Sequence, residues 1–191
     1  MILELPESVV INDRTYEINT DFRVILNILM ATEDSNLTDR DKAYVIISEF
    51  YVEEINAEDI EAALERFGWF VNLGKDTPPH NDEQPVMDWD QDQDMIFSSV
   101  MAVAGRDIRK DDFLHWWTFC GLLSEIDENS RLAGVMRMRD KLNRHEKLTD
   151  YEKEALNRHP ELYAIKTAEQ REIEKQDIEK INKKIFGNKI K

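Results

Sequence analysis

The run Asp88-Trp89-Asp90-Gln91-Asp92-Gln93-Asp94 places carboxylates at alternate positions, the arrangement from which a calcium loop draws its oxygen ligands. Such a loop needs a sharply turning Gly at its sixth position and a bidentate Glu at its twelfth. Counted from Asp88, those positions hold Gln93 and Ser99, and both fail. Carboxylates at the head of a helix are stabilised by its dipole, and a helical pattern resumes at about Gln91. The run is therefore read as an acidic helix cap, and no metal is assigned.

The other chemistry-bearing residues are as sparse. His80, His115, His145 and His159 have no His or Cys at ligand spacing, and there is no His-Glu-x-x-His. His115 lies beside Trp116 in an apolar stretch, which fits a hydrogen-bonded core or boundary residue. Cys120 follows His115 by five residues, and along a helix that spacing turns the two side chains well apart. The single cysteine excludes an intrachain disulfide and any multi-cysteine zinc site. The 6 glycines are scattered, so no phosphate-binding loop is present. No catalytic residue, cofactor or metal follows from the sequence, and the protein is read as non-enzymatic.

The aromatics carry more information. Trp69, Phe70, Trp116, Trp117 and Phe119 fall on two expected helices and supply large area for burial. Either they are core, or one edge of the cluster stays open as a partner groove. Ile178, Ile181 and Ile185 recur at helical spacing in a charged tail. These eight residues are the candidate partner-binding set.

The elements that must position them read as mainly α. Val9-Val10-Ile11 and Tyr16-Glu17-Ile18 form a small hairpin about the turn residues 12–15. Thr20 or Asp21 caps a helix through Leu29, a second helix covers about 40–51, and Asn56 opens a third that Gly74 stops. Residues 75–87, with three prolines, are the expected mobile loop. A helix from about Gln91 ends at Gly105. Asp111 or Asp112 then opens the most apolar helix, through Ile126. A short helix spans 132–138, and Thr149-Asp150-Tyr151-Glu152 is a capping box for another, ending near Pro160. Residues 168–186 form a charged helix. The expectation is a compact helical domain over 1–165, of about six to eight helices, with a charged helical tail over 166–191.

Composition narrows the function classes. The chain has 191 residues, 40 acidic against 25 basic side chains, and a net charge of −15. That balance argues against nucleic-acid binding through the overall field. The charge is divided unevenly. Residues 131–191 hold 16 basic and 11 acidic groups, leaving 9 against 29 in residues 1–130. An acidic body with a basic helical tail results. No stretch approaches the roughly 18 apolar residues of a membrane span, and the start lacks the pattern of a signal peptide. The cytoplasm is the expected compartment.

Four segments together resemble the bacteriophage gp-fifteen family of long-tailed phages and prophages of Gram-positive bacteria. They are Tyr16-Glu17-Ile18-Asn19-Thr20-Asp21-Phe22-Arg23, Asp88-Trp89-Asp90-Gln91-Asp92, Phe113-Leu114-His115-Trp116-Trp117-Thr118-Phe119 and Met136-Arg137-Met138-Arg139. The likeness spans about residues 5–165, with the His-Trp-Trp-x-Phe helix its most specific part. It implies a tail assembly chaperone that coats the tape measure protein, brings tail tube protein to it in the host cytoplasm, and is absent from the mature virion. It also implies a frameshift-extended form of the chain as a partner, and self-association is a further expectation. The Lys/Glu-rich tail after about 166 is longer than the family's. A different reading of the acidic body is a phage decoy that mimics nucleic acid to inhibit a host nuclease or defence factor.

Overall fold

A computed structural model describes residues 4–76 and 84–186. Its N-terminal hairpin pairs β1 (Ser8–Ile11) with β2 (Arg14–Glu17) antiparallel, Val9 opposite Tyr16. Asn12 and Asp13, both at positive φ, make the tight turn that matches the twist of the two strands. Alternation puts Val9, Ile11 and Tyr16 on the buried face and leaves Val10 outside. Asp59 fastens the hairpin to the helices by accepting from Asn12 Nδ2 at 2.6 Å and Tyr16 Oη at 3.2 Å.

Among the described residues nine α-helices follow: α1 (Phe22–Glu33), α2 (Asp39–Phe50), α3 (Ile60–Val71), α4 (Gln93–Ala104), α5 (Trp116–Ser124), α6 (Arg131–Asn143), α7 (Asp150–Arg158), α8 (Pro160–Tyr163) and α9 (Ala168–Phe186). The expected helical domain with a small hairpin and a C-terminal charged helix is what forms. Local chemistry explains most ends. Asp21 caps α1, Thr38 and Thr149 form full capping boxes, and Gly105 closes α4 in the left-handed region. Pro160 starts α8 as a first-turn proline.

Three expectations change. Asn56 heads a 3-10 turn at Ala57–Asp59, and α3 begins only at Ile60. The short helix expected over 132–138 extends to Asn143. Most importantly, α5 starts at Trp116 rather than at Asp111 or Asp112. The carboxylate of Asp111 is held by Arg106 at 2.8 Å, and residues 113–115 stay extended against the start of α1. His80 and residues 77–83 of the expected loop lie outside the described residues.

The core gathers Phe22, Ile25 and Ile28 of α1, Phe67 and Phe70 of α3, Ile96 and Val100 of α4, and Trp116 and Phe119 of α5 under the hairpin. At the end of α3, Gly74 takes φ +77° and donates to the Trp69 carbonyl at 2.9 Å. A Cβ there would meet the Trp117 ring at 3.0 Å, so both the backbone and the neighbour require glycine. No described helix is long and apolar enough to cross a membrane.

Helix α7 carries a pH signature. Glu152 accepts from Thr149 N at 2.8 Å and from Lys141 Nζ at 2.6 Å. Lys141 first, and then the cap donors, lower its pKa from the ordinary 4.5 to about 2. A carboxylate depressed in the folded state stabilises the fold above the unfolded value and loses that contribution as pH falls. The Tm difference between the native chain and Glu152→Gln should therefore be constant above about pH 5. It should shrink between 4.5 and about 2, and a difference that does not change through that window would refute the assignment.

Candidate functional site

Asp21 does two tasks. It caps α1 through Arg23 N at 2.9 Å, and it accepts from Leu114 N at 3.3 Å across 93 residues. Arg23 closes a fork on the same carboxylate and reaches the carbonyls of Asp111 and Asp112, each at 3.0 Å. Backbone bonds Phe22 N to Leu114 O at 2.9 Å and Trp116 N to Thr20 O at 2.7 Å complete the clasp. The hydrogen bonds from Arg23, with those of its backbone and of Leu114, hold the Asp21 carboxyl below its ordinary range, although burial alone would raise it.

The clasp presents His115 as the cap of α5. Its Nδ1 accepts from Trp117 N at 3.0 Å and its Nε2 faces the Pro6 carbonyl at 3.1 Å. Both contacts are satisfied by the neutral ring protonated on Nε2. Burial lowers its pKa, opposed by the Pro6 carbonyl and Glu7. Both ring nitrogens are thus engaged in structure. Cys120 is half-buried, and burial pushes its thiol up to about 12, far from the thiolate that nucleophilic chemistry needs.

The acidic run heads α4 as expected, with Asp92 at its N-cap and Asp94 in its first turn, and it is also a connector. Asp92 stands at the head of α4 but makes no side-chain cap bond there. Instead it is 1% exposed and takes a fork from Arg139, 2% exposed, at 2.5 and 2.9 Å. Arg139 also donates to the carbonyls of Val86 and Leu162 at 3.1 and 2.9 Å. Asp92 further accepts from Asp88 N at 3.0 Å. Asp88 orders the turn through Asp90 N and Gln91 N, and its second oxygen pairs with Arg171 of α9. One acidic turn therefore ties α4, α6, α8 and α9 together. Beside it, burial first and the Asp88 charge second raise Glu33 at the end of α1 to about 7. Among the described residues no group of three or more His, Cys, Asp or Glu is placed to hold a metal ion.

Of the five aromatics singled out by sequence, Phe70, Trp116 and Phe119 are fully buried and serve as core. Trp116 stacks on Phe119 at 5.6 Å, meets Trp89 edge-on at 5.9 Å, and donates Nε1 to Val71 O at 3.2 Å. Trp69 and Trp117 are half-buried, 5.8 Å apart. His115, 6.2 Å from Trp117 and only 4% exposed, links them to Phe113, which is 6.5 Å further and 56% exposed. In this ladder of rings Phe113, Trp117 and Trp69 form the open edge of the aromatic cluster, with His115 buried between them. Phe113 belongs to that edge although sequence did not single it out for partner contact. Ile178, Ile181 and Ile185 of α9 are 54–58% exposed and lie apart from the rings.

Sequence reasoning also missed Arg139. A trace was legible, because Leu132, Val135 and Arg139 recur at spacings of three and four along the buried face of α6. A charge at such a core position requires a buried partner.

The four segments with the family resemblance meet in space. Phe22 stacks on Phe119 at 4.9 Å, Asp21 holds Leu114, Trp89 abuts Trp116, and Asp92 grips Arg139. No curated protein and no solved structure matches the chain. The Bacteriophage Gp15 protein family matches residues 1–165, which end just before α9. The clasp, the connector and the ring ladder all have their principal residues inside that match, and the chain belongs to the Bacteriophage Gp15 protein family.

Proposed function

We propose that the protein is a non-catalytic tail assembly chaperone. It would bind the tape measure protein and tail tube subunits in the host cytoplasm during tail morphogenesis and be absent from the finished virion. The observation that carries this reading is membership of the phage family across residues 1–165, together with the partly open rings Phe113, Trp117 and Trp69, which buried His115 links. A half-open row of rings on a rigid helical scaffold suits the apolar face of a client helix, and the net charge of −15 favours solubility of a crowded complex.

The decoy alternative draws less support. A nucleic-acid mimic needs its carboxylates at the surface, whereas Asp59, Asp88 and Asp92 are buried in internal bonds.

Co-expression with tape measure fragments tests the proposal. The full chain should move at least one fragment into the soluble fraction. Phe113→Asp, at an exposed position, should keep the fold and lower the yield of soluble fragment several-fold, as loss of one aromatic anchor does. If neither the full chain nor a form ending at residue 165 keeps any fragment soluble, the proposal fails.

A further inference from the structure

Among the described residues, the hydrogen bonds and ion pairs that tie helix α9 to the body fall in its first half, Asn36 Nδ2 to Glu172 at 3.5 Å among them. Lys166 N donates to Gln91 Oε1 at 2.9 Å, Lys166 Nζ pairs with Glu174 at 2.7 Å, and Arg171 pairs with Asp88. From 176 to 185 every residue is exposed. Ile178, Ile181 and Ile185 nevertheless recur at spacings of three and four, which stacks them on one side of the helix. Around them stand Lys180, Lys183 and Lys184. A long exposed helix with an apolar stripe flanked mainly by basic groups is built for a partner.

The matching surface lies on the same element. A groove of about 650 Å³ runs between the end of α1, the turn at Asp90–Gln91 and the first half of α9. Met30, Ala31 and Ile178 give it apolar area, and Asp34, Asp90, Glu172 and Glu179 give it negative charge. Its two cations are already engaged, Lys166 with Glu174 and Arg171 with Asp88. The helix cannot fill its own groove, because a rise of about 1.5 Å per residue carries Lys183 roughly 16 Å beyond Glu172.

We infer that α9 is a self-pairing helix: the Ile/Lys half of one copy lies in the acidic groove of a second copy, and the reverse contact forms by two-fold symmetry. The charge pattern selects this arrangement. Residues 168–177 carry four acidic and two basic groups, and residues 178–186 carry one acidic and three basic. An antiparallel pair sets each basic half against an acidic half, and a parallel pair would set like against like. The isoleucine stripe of each copy then faces the groove of the other. This inference is independent of the tail assembly reading.

Sedimentation velocity on the full chain, from about 1 to 200 μM at low salt, should show a reversible dimer of micromolar strength, as a small interface gives. Ile181→Asp with Ile185→Asp should weaken it at least about tenfold without loss of helix by circular dichroism. Added salt should weaken it too. Lys183→Glu with Lys184→Glu should give a monomer, as should Glu172→Lys with Glu179→Lys, and mixing the two variants should restore a heterodimer. A full chain that stays monomeric over the whole range overturns the inference. So does a dimer indifferent to the isoleucine and lysine changes. If the chain is monomeric and Ile181→Asp abolishes capture of a tape measure fragment, the stripe is a client site. In that case self-pairing is overturned while the chaperone reading stands.

Discussion

Replacing Arg139 with Met should lower the unfolding free energy by about 3–5 kcal/mol, read from urea denaturation, because it strands the Asp92 carboxylate in the interior. The two groups are 2% and 1% exposed and meet in a fork at 2.5 and 2.9 Å. The same guanidinium satisfies the Val86 and Leu162 carbonyls, so its loss also frees two acceptors in the joint between α4, α6 and α8. Its Nε has no hydrogen-bond partner among the described residues, which makes the pair itself less favourable than a fully satisfied one. The penalty for Arg139→Met is thus mainly the charge left behind. Adding Asp92→Asn to Arg139→Met removes that charge and keeps an acceptor for Asp88 N. The double variant should accordingly lose clearly less than the sum of the single ones. A cost below about 1 kcal/mol for Arg139→Met, or strict additivity of the pair, would show that the charges do not depend on each other.

Trp116→Ala should cost a similar amount, about 3–5 kcal/mol, for a different reason. The ring is 2% exposed, stacked on Phe119 and edge-on to Trp89, and truncation leaves a cavity at the meeting point of α3, α5 and the acidic turn. It also frees the Val71 carbonyl. Its neighbour Trp117 is half-buried and keeps one side open, so Trp117→Ala should cost about half as much or less, because less area leaves contact. Thermal unfolding of the two variants side by side separates core from edge. Equal losses would mean that both rings are core, and would remove the structural basis for an aromatic docking edge.

The sequence was most legible where a signal acts within a few residues. Thr149 with Glu152 opens its helix through a contact three residues long. The spacing of Ile178, Ile181 and Ile185 likewise needs only one helix to be read. What was hidden depends on partners far along the chain. The start of α5 is set by Asp21 and Thr20 gripping residues 114 and 116, and this pairing overrides the capping preference of Asp111 and Asp112. Asp88 and Asp92 have the composition of a helix cap, and only folding shows that Arg139, 47 residues from Asp92, takes one of them. For the candidate site, the aromatics were identifiable by type, but their division into core and open edge depends on which face α3 turns toward α5. His115 was recognisable as a boundary residue. That it caps the helix bearing the two tryptophans follows from the extended backbone before it.

The clasp at Asp21 also sets a timetable for synthesis. Phe22 and Leu114 are joined across more than ninety residues, so a growing chain cannot close the contact until the segment after α4 has left the ribosome. At about 5–20 residues per second, translation leaves an interval of roughly 5–20 s between the two. Through that interval the hairpin and the first three helices exist without α5, and the face of Phe22 that later stacks on Phe119 has no cover. A nascent chain in this state exposes the same kind of apolar helical surface as an amphipathic client. In the folded protein the Arg23 guanidinium lies 5.2 Å from the Phe22 ring, and its bonds to the Asp111 and Asp112 carbonyls form only when that segment arrives.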